Sequence, residues 1–191
     1  NYHLYRDNNG INLKKMTALC KELGFVLSTV HALVMPLERV IRHCEGQPDF
    51  QTKLLTDNLL VDIDEGITAS KIDRNSIGAC EYRDNQVNIN SDLTVPVCCT
   101  VFNRDSNVVA NNFLKASPDD IQKKKNLTEI CKKCMSYGLP AYNMGFNRAK
   151  WDEIAAMKES RDVGQATTPR DGVLKSLPIS PSSQIKRKDI A

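Results

Sequence analysis

Between Leu13 and Cys44, apolar residues recur every seven positions in three rows. Leu13, Cys20, Leu27, Val34 and Ile41 form the first, Met16, Leu23, Val30, Leu37 and Cys44 the second, and Leu19, Val26, Leu33 and Val40 the third. At about 100° per residue these rows cover an arc of roughly 120°, wider than the two-row seam of a coiled coil. A stripe of that width faces more than one neighbour, so it predicts a core helix or an oligomerising one. For the second case the contact residues are Leu19, Leu23, Val26, Val30, Leu33 and Leu37.

Two residues disturb this helix. Gly24 costs about 1 kcal/mol relative to Ala in a helix interior. Pro36 removes a backbone donor and crowds the preceding turn. Because Pro36 stands outside the three rows, a kink there leaves the apolar pattern intact, and two helical segments are expected to meet near Met35 and Pro36.

The chain has 191 residues, enough for one domain and a tail. Its net charge of +3 is unevenly placed: residues 1–160 carry 20 basic and 20 acidic side chains, and residues 161–191 carry six against three. A neutral body argues against a domain steered as a whole to nucleic acid, since such domains are usually basic overall. No run of about 18 apolar residues is present, so no membrane partner is expected. The chain begins with Asn rather than Met, which reads as a processed or excised product with any targeting segment lying upstream. Seven cysteines, two of them adjacent at Cys98 and Cys99 and others at helix-core positions, read as reduced thiols of an intracellular protein, in cytoplasm, nucleus or a virion interior.

Along the chain, Asn8-Asn9-Gly10 marks a turn before the long helix, and Gly46 with Pro48 ends it. Residues 49–60 predict a short helix, and Leu60 to Asp64 alternates like a strand. Ala79–Arg83, Gln86–Asn90 and Thr94–Asn103, separated by Asp84-Asn85 and Ser91-Asp92, predict a three-stranded antiparallel meander. A helix then opens with Ser117 as N-cap and Pro118 in the first position and runs to Gly138. Its apolar face is Leu127, Ile130, Cys131, Cys134 and Met135. A last helix from about Asn147 to Glu159 carries Trp151, Ile154 and Ala155 on one side. The fold class is therefore α+β: a kinked N-terminal core helix, a small antiparallel sheet, two C-terminal helices, and a basic Pro/Ser-containing tail over 161–191 that is disordered alone.

Chemistry is thinly signalled. Cys131-Lys132-Lys133-Cys134 is a single CxxC on an apolar helix face, whereas a structural zinc site usually takes two spaced pairs. Cys98, Cys99, Cys44 and His43 can join it only through the fold, so the cysteines read as structural thiols and no metal or cofactor is expected. The histidines, His3, His31 and His43, all fall in the first quarter of the chain, without a recognisable nucleophile setting, and the glycines form no phosphate loop. No catalytic residue is assigned. Asp62 and Asp64 would share a strand face, a common surface arrangement.

The interaction signals are basic. Lys124, Lys125, Lys132 and Lys133 lie along the helix from Pro118, and Arg148 and Lys150 extend them past a loop holding Tyr142 and Phe146. Such a stripe can sit over phosphates with salt-dependent, sequence-independent affinity, and Tyr137, Tyr142 and Phe146 can stack on unpaired bases. The tail adds Lys186, Arg187 and Lys188, with Thr168-Pro169 and Ser180-Pro181 as minimal phosphorylation sites that would make the chain a phosphoprotein. The expectation is a non-enzymatic, self-associating protein, possible as a viral replication or structural protein, that binds RNA, other nucleic acid or a nucleoprotein partner. The competing expectations are a protein-only structural subunit of a larger assembly and an enzyme fragment.

Overall fold

The computed structural model describes residues 1–71, 80–103 and 106–165, with side chains as far as 158. The fold is α+β, as the change of period along the sequence predicts. Its first element is β1 (Tyr2–Leu4), followed by α1 (Ile11–Glu22), β2 (Thr29–His31), α2 (Leu37–Cys44), α3 (Phe50–Asp57) and α4 (Ile63–Ala69). Then come α5 (Glu81–Asp84), β3 (Val95–Pro96), β4 (Val108–Ala110), α6 (Pro118–Leu127), α7 (Glu129–Ser136), α8 (Leu139–Asn143) and α9 (Arg148–Gln165).

The long N-terminal helix is the principal correction. It stops at Glu22, where Gly24 adopts φ +72°. The N–H of Phe25 donates to the Cys20 carbonyl at 2.8 Å and that of Gly24 to Lys21 at 3.3 Å, the paired bonds of a Schellman terminator. The chain then runs extended, and β2 pairs in parallel with β1, setting Tyr2 opposite Thr29, His3 opposite Val30 and Leu4 opposite His31. Helix resumes only at Leu37, after a cis Met35-Pro36 peptide. The two helical segments therefore do not meet at a kink: residues 24–36 separate them.

The middle region differs from the predicted meander. Glu81–Asp84 is helical, residues 86–90 form no strand, and β3 pairs antiparallel with β4, Val95 opposite Ala110 and Pro96 opposite Val108 across an irregular register. Leu60 to Asp64 is not a strand either. Asp62 caps α4, accepting from Glu65 N at 2.9 Å while the Glu65 carboxylate accepts from Asp62 N at 3.0 Å. This reciprocal capping box overrides a brief alternation because it satisfies two orphan donors at once. Asp64 turns away and bonds to His43 Nε2 at 3.1 Å.

The predicted helix from Ser117 to Gly138 starts as expected, with the Ser117 hydroxyl accepting from Asp120 N at 3.1 Å, but it is two helices. Thr128 leaves the helical region at ψ 138° and serves as the end of α6 and the start of α7. Asp49 caps α3 through Thr52 N, as the short-helix prediction needs. α9 begins where predicted and runs through Gln165, beyond the expected end at 159. The rest of the tail, 166–191, lies outside the described residues.

The core joins Val40 and Ile41 of α2, Leu59 to Val61, Ile63 of α4, Val95 and Val97, Ile121 of α6, Leu139 and Tyr142 of α8, and Trp151 of α9. α7 packs on α2 and α8, and α4 on α8 and α9. Gly66 makes the last of these possible: a Cβ there would stand 2.6 Å from Trp151 Cη2 and 2.8 Å from Tyr142 Cε2.

Candidate functional site

β2 and α9 together build the best-formed polar constellation. Trp151 is anchored at the interior by its indole N–H, which donates to Ser70 Oγ and the Phe146 carbonyl, each at 3.0 Å. One turn of α9 carries Arg148 and Asp152 past the ring. Arg148 Nε donates to Asp152 Oδ1 at 2.7 Å and its Nη1 to the Thr29 carbonyl at 2.8 Å, fixing α9 to β2. The same Asp152 oxygen lies 2.8 Å from His31 Nε2. Burial pushes the imidazole below its ordinary pKa, against the pull of Asp152. Burial also works to raise Asp152, but hydrogen bonds from Arg148 and His31 outweigh it and hold the carboxyl below the usual range. The pair is thus a neutral imidazole donating through Nε2 to a carboxylate, with Nδ1 buried and unpartnered.

His31, Arg148 and Trp151 line an open groove of about 610 Å³ whose other walls include His3, Tyr5, Met35 and Met144. Asp152 bonds to His31 from outside this lining, which among the described residues holds no Ser, Thr, Cys or Lys side chain.

The lysines expected to form one stripe are dispersed. Lys125 is fully buried, and its ammonium donates to the carbonyls of Tyr82 and Arg83, each at 3.4 Å, and of Gln86. It cannot meet a phosphate, and its assignment to nucleic-acid binding is corrected. Lys125 stands on the side of α6 that packs on α5 and the residues just after it. Lys132 pairs with Glu129 at 3.8 Å and Lys133 with Glu45 at 2.6 Å, while Arg148 is spent on Thr29 and Asp152. Lys124 and Lys150 are exposed. Lys186, Arg187 and Lys188 lie outside the described residues. Of the aromatics, Tyr142 is buried, whereas Tyr137 and Phe146 are partly exposed.

The six residues named for self-association likewise divide. Leu19, Leu23 and Val26 are exposed, Val26 to 97%; Val30 and Leu33 are half-buried; Leu37 is core. They do not form one helix face, because α1 ends before Val26.

Of the residues named as able to join the CxxC through the fold, Cys98 does line a cavity with it, and Cys80 is the member that sequence reasoning missed. Cys80, Cys98, Cys131 and Cys134, from three separate segments, line one largely enclosed cavity of about 20 Å³. Cys80 stands at the start of α5, Cys98 follows β3, and the other two share one side of α7. Burial pushes the thiols of Cys80, Cys131 and Cys134 up, Cys134 most strongly. All the cysteines are free thiols, and Cys44 and His43 are not part of this lining. Among the described residues no three His, Cys, Asp or Glu side chains stand ready-arranged around a metal position, and no helix is long and apolar enough to cross a membrane. No protein-family model, no curated protein and no solved structure matches this chain.

Proposed function

We propose that this chain is a non-enzymatic assembly protein that pairs with a second copy of itself through the outer face of α1 and the exposed residues just after it. One observation carries the reading: α1 contributes no buried residue, and Leu19 on it together with Leu23, Phe25 and Val26 just past its end are exposed to 46, 57, 68 and 97%. Several large apolar side chains exposed within one short segment mark an interaction surface more often than a single exposed Leu does.

The charge pattern on α1 favours a second copy as the occupant. Lys15 and Glu22 flank Leu19 on the same side of the helix, seven residues apart. In an antiparallel two-fold pairing centred on Ala18 and Leu19, each Lys15 meets the partner's opposite charge, and Ile11 faces the exposed apolar end of the other copy. The small Ala18 side chain allows close approach at the crossing. Exposed ion pairs of this sort set register and orientation more than affinity. A 12-residue helix is about 18 Å long, which places the interface near the small end of specific contacts, about 1,200 Å². The dimer is accordingly expected to be concentration-dependent.

The test is light scattering of the full chain over a wide concentration range. The expected result is a mass rising from one chain to two, with Leu19→Asp and Val26→Asp together holding the monomer while the melting curve stays unchanged. A monomer at every concentration overturns the proposal. Repeating the series with short single-stranded RNA examines the nucleic-acid reading, which now rests on Lys124, Lys150 and the tail. A gain in mass at low salt that disappears at high salt supports it, since each phosphate contact releases counterions.

A further inference from the structure

We propose that Cys80, Cys98, Cys131 and Cys134 form a four-thiolate structural site for one Zn²⁺ ion. This is independent of the assembly reading and concerns a different part of the molecule.

The cavity these cysteines share has room for about one water-sized sphere, which suits an ion and excludes an organic ligand. Its remaining walls are largely apolar, among them Leu37, Val97, Val101 and Ile130. Four sulfur donors with no carboxylate among them favour a soft or borderline metal, and a closed set of four is the composition of a structural rather than a catalytic zinc centre. Cys131 and Cys134, three residues apart in α7, lie on one side of the helix and supply the spaced pair. Cys80 and Cys98 complete it from loops on either side of a stretch that folds back onto α6 and α7. The Glu38 carboxylate ties the second of these loops to α2 by accepting from Phe102 N at 3.1 Å and Asn103 N at 2.9 Å.

The surroundings are those of an anionic centre. Zn²⁺ with four thiolates carries a net charge of −2. Beside it lies Lys125, fully buried, with hydrogen bonds to main-chain carbonyls of the Cys80 loop. A buried ammonium bonded to neutral carbonyls is costly to desolvate, and a neighbouring anion offsets that cost. Burial pushes Lys125 below the ordinary lysine range, and ionised Cys98, Cys131 and Cys80 would oppose that shift. Arg83, paired with Asp84 at 2.7 Å, is a second cation close to Cys80 and Cys131. The main-chain N–H of Arg83 is directed at the Cys80 sulfur, and Thr100 Oγ1 lies 3.2 Å from Cys98 Sγ, placing donors where thiolates would use them.

Burial pushes the Cys131 and Cys134 thiols up, which makes them poor nucleophiles and argues against a redox or catalytic role for the CxxC. Metal entry breaks four S–H bonds and forms four Zn–S bonds, releasing four protons to solvent with no change of oxidation state. The sulfurs do not stand ready-arranged among the described residues, so their side chains must rotate into the cavity as metal enters.

The experiment uses the full chain purified from zinc-containing medium. Elemental analysis is expected to give one zinc per chain. After removal of zinc, Co²⁺ should produce the intense sulfur-to-metal charge-transfer absorption and the visible bands of a tetrahedral four-thiolate complex. Cys98→Ser and Cys134→Ser should each lower zinc affinity by at least about 100-fold, whereas Cys20→Ser, on α1, should leave it unchanged. Lys125→Met should weaken affinity by about 10–100-fold with the cobalt spectrum retained, the size of effect seen for groups that support ligands. Should a cysteine variant fail to fold, the cobalt spectrum of the unaltered chain still counts the thiolates. A folded chain that is zinc-free and gives no charge-transfer band with Co²⁺ overturns the proposal, as does full zinc affinity in Cys98→Ser.

Discussion

α1 and α2 come from one apolar pattern, yet the fold uses them in opposite ways. In α2, Leu37, Val40 and Ile41 are buried, with Val40 fully inaccessible. In α1 nothing is fully buried; Leu13 rests partly against the core while Leu19 and Leu23 face outward. The same row can therefore place Val40 in the interior and Val26 in solvent, because the chain reverses character at Gly24. A heptad repeat reports that residues would share a face if the helix were continuous. It does not report whether the helix continues.

The largest expected effect that sharpens this contrast is Val40→Asp. A charge placed without a partner in a fully buried site is strongly unfavourable, and the variant is expected to lose cooperative folding in a urea titration followed by circular dichroism. A stable, folded Val40→Asp would break the assignment of α2 to the core. Leu37→Ala should be milder, costing about 2–5 kcal/mol by leaving a cavity, read as a shift in the urea midpoint. Close to it, Gly66→Ala is expected to cost about 1–3 kcal/mol by forcing α4 away from Trp151 and Tyr142.

At the junction between the two helices, Gly24→Ala should cost about 1 kcal/mol because alanine is strained at positive φ. An unchanged midpoint would mean that α1 does not end at a left-handed residue. His31, between them on β2, adds a pH effect. Its pKa in the fold lies below the ordinary 6.5, so the unfolded chain binds the extra proton first. Stability is thus greatest above about 6.5 and should fall as the pH drops through and below that value. Asp152, also depressed, adds a loss of the same sign below its ordinary 3.8. Thermal melts from pH 7.5 to 5 should show the decline, and His31→Gln should flatten it. Val26→Asp is expected to have the smallest effect on stability, within about 0.5 kcal/mol at an exposed site.

Local signals were legible wherever short-range chemistry suffices. Ser117 and Pro118 start α6, Gly46 ends the α2 segment within a residue or two, and the spacing of Trp151 and Ala155 identifies the buried side of α9. Gly24 was visible too, but its modest cost inside a helix made it look like a blemish when it was a terminator. The strand alternation at Leu60–Asp64 misled because an N-cap and an alternating strand can contain the same residues, and Asp62 with Glu65 decides for the cap. The lysine stripe was dispersed by packing: Lys125 faces α5 and is buried, the adjacent Lys124 is exposed, and Lys132, Lys133 and Arg148 are taken up by acidic partners.

By itself the sequence determined the α+β class, the approximate placement of α3, α6 and α9, and the neutral charge of the body, since capping, periodicity and composition act over a few residues. Tertiary structure alone decided that Val26 is outside and Val40 inside, that Lys125 is buried, and that Cys80 and Cys98 meet the Cys131–Cys134 pair. The physical reason is that these outcomes depend on contacts between segments 18 to more than 40 residues apart, and a residue's own neighbours along the chain carry no energy that distinguishes them.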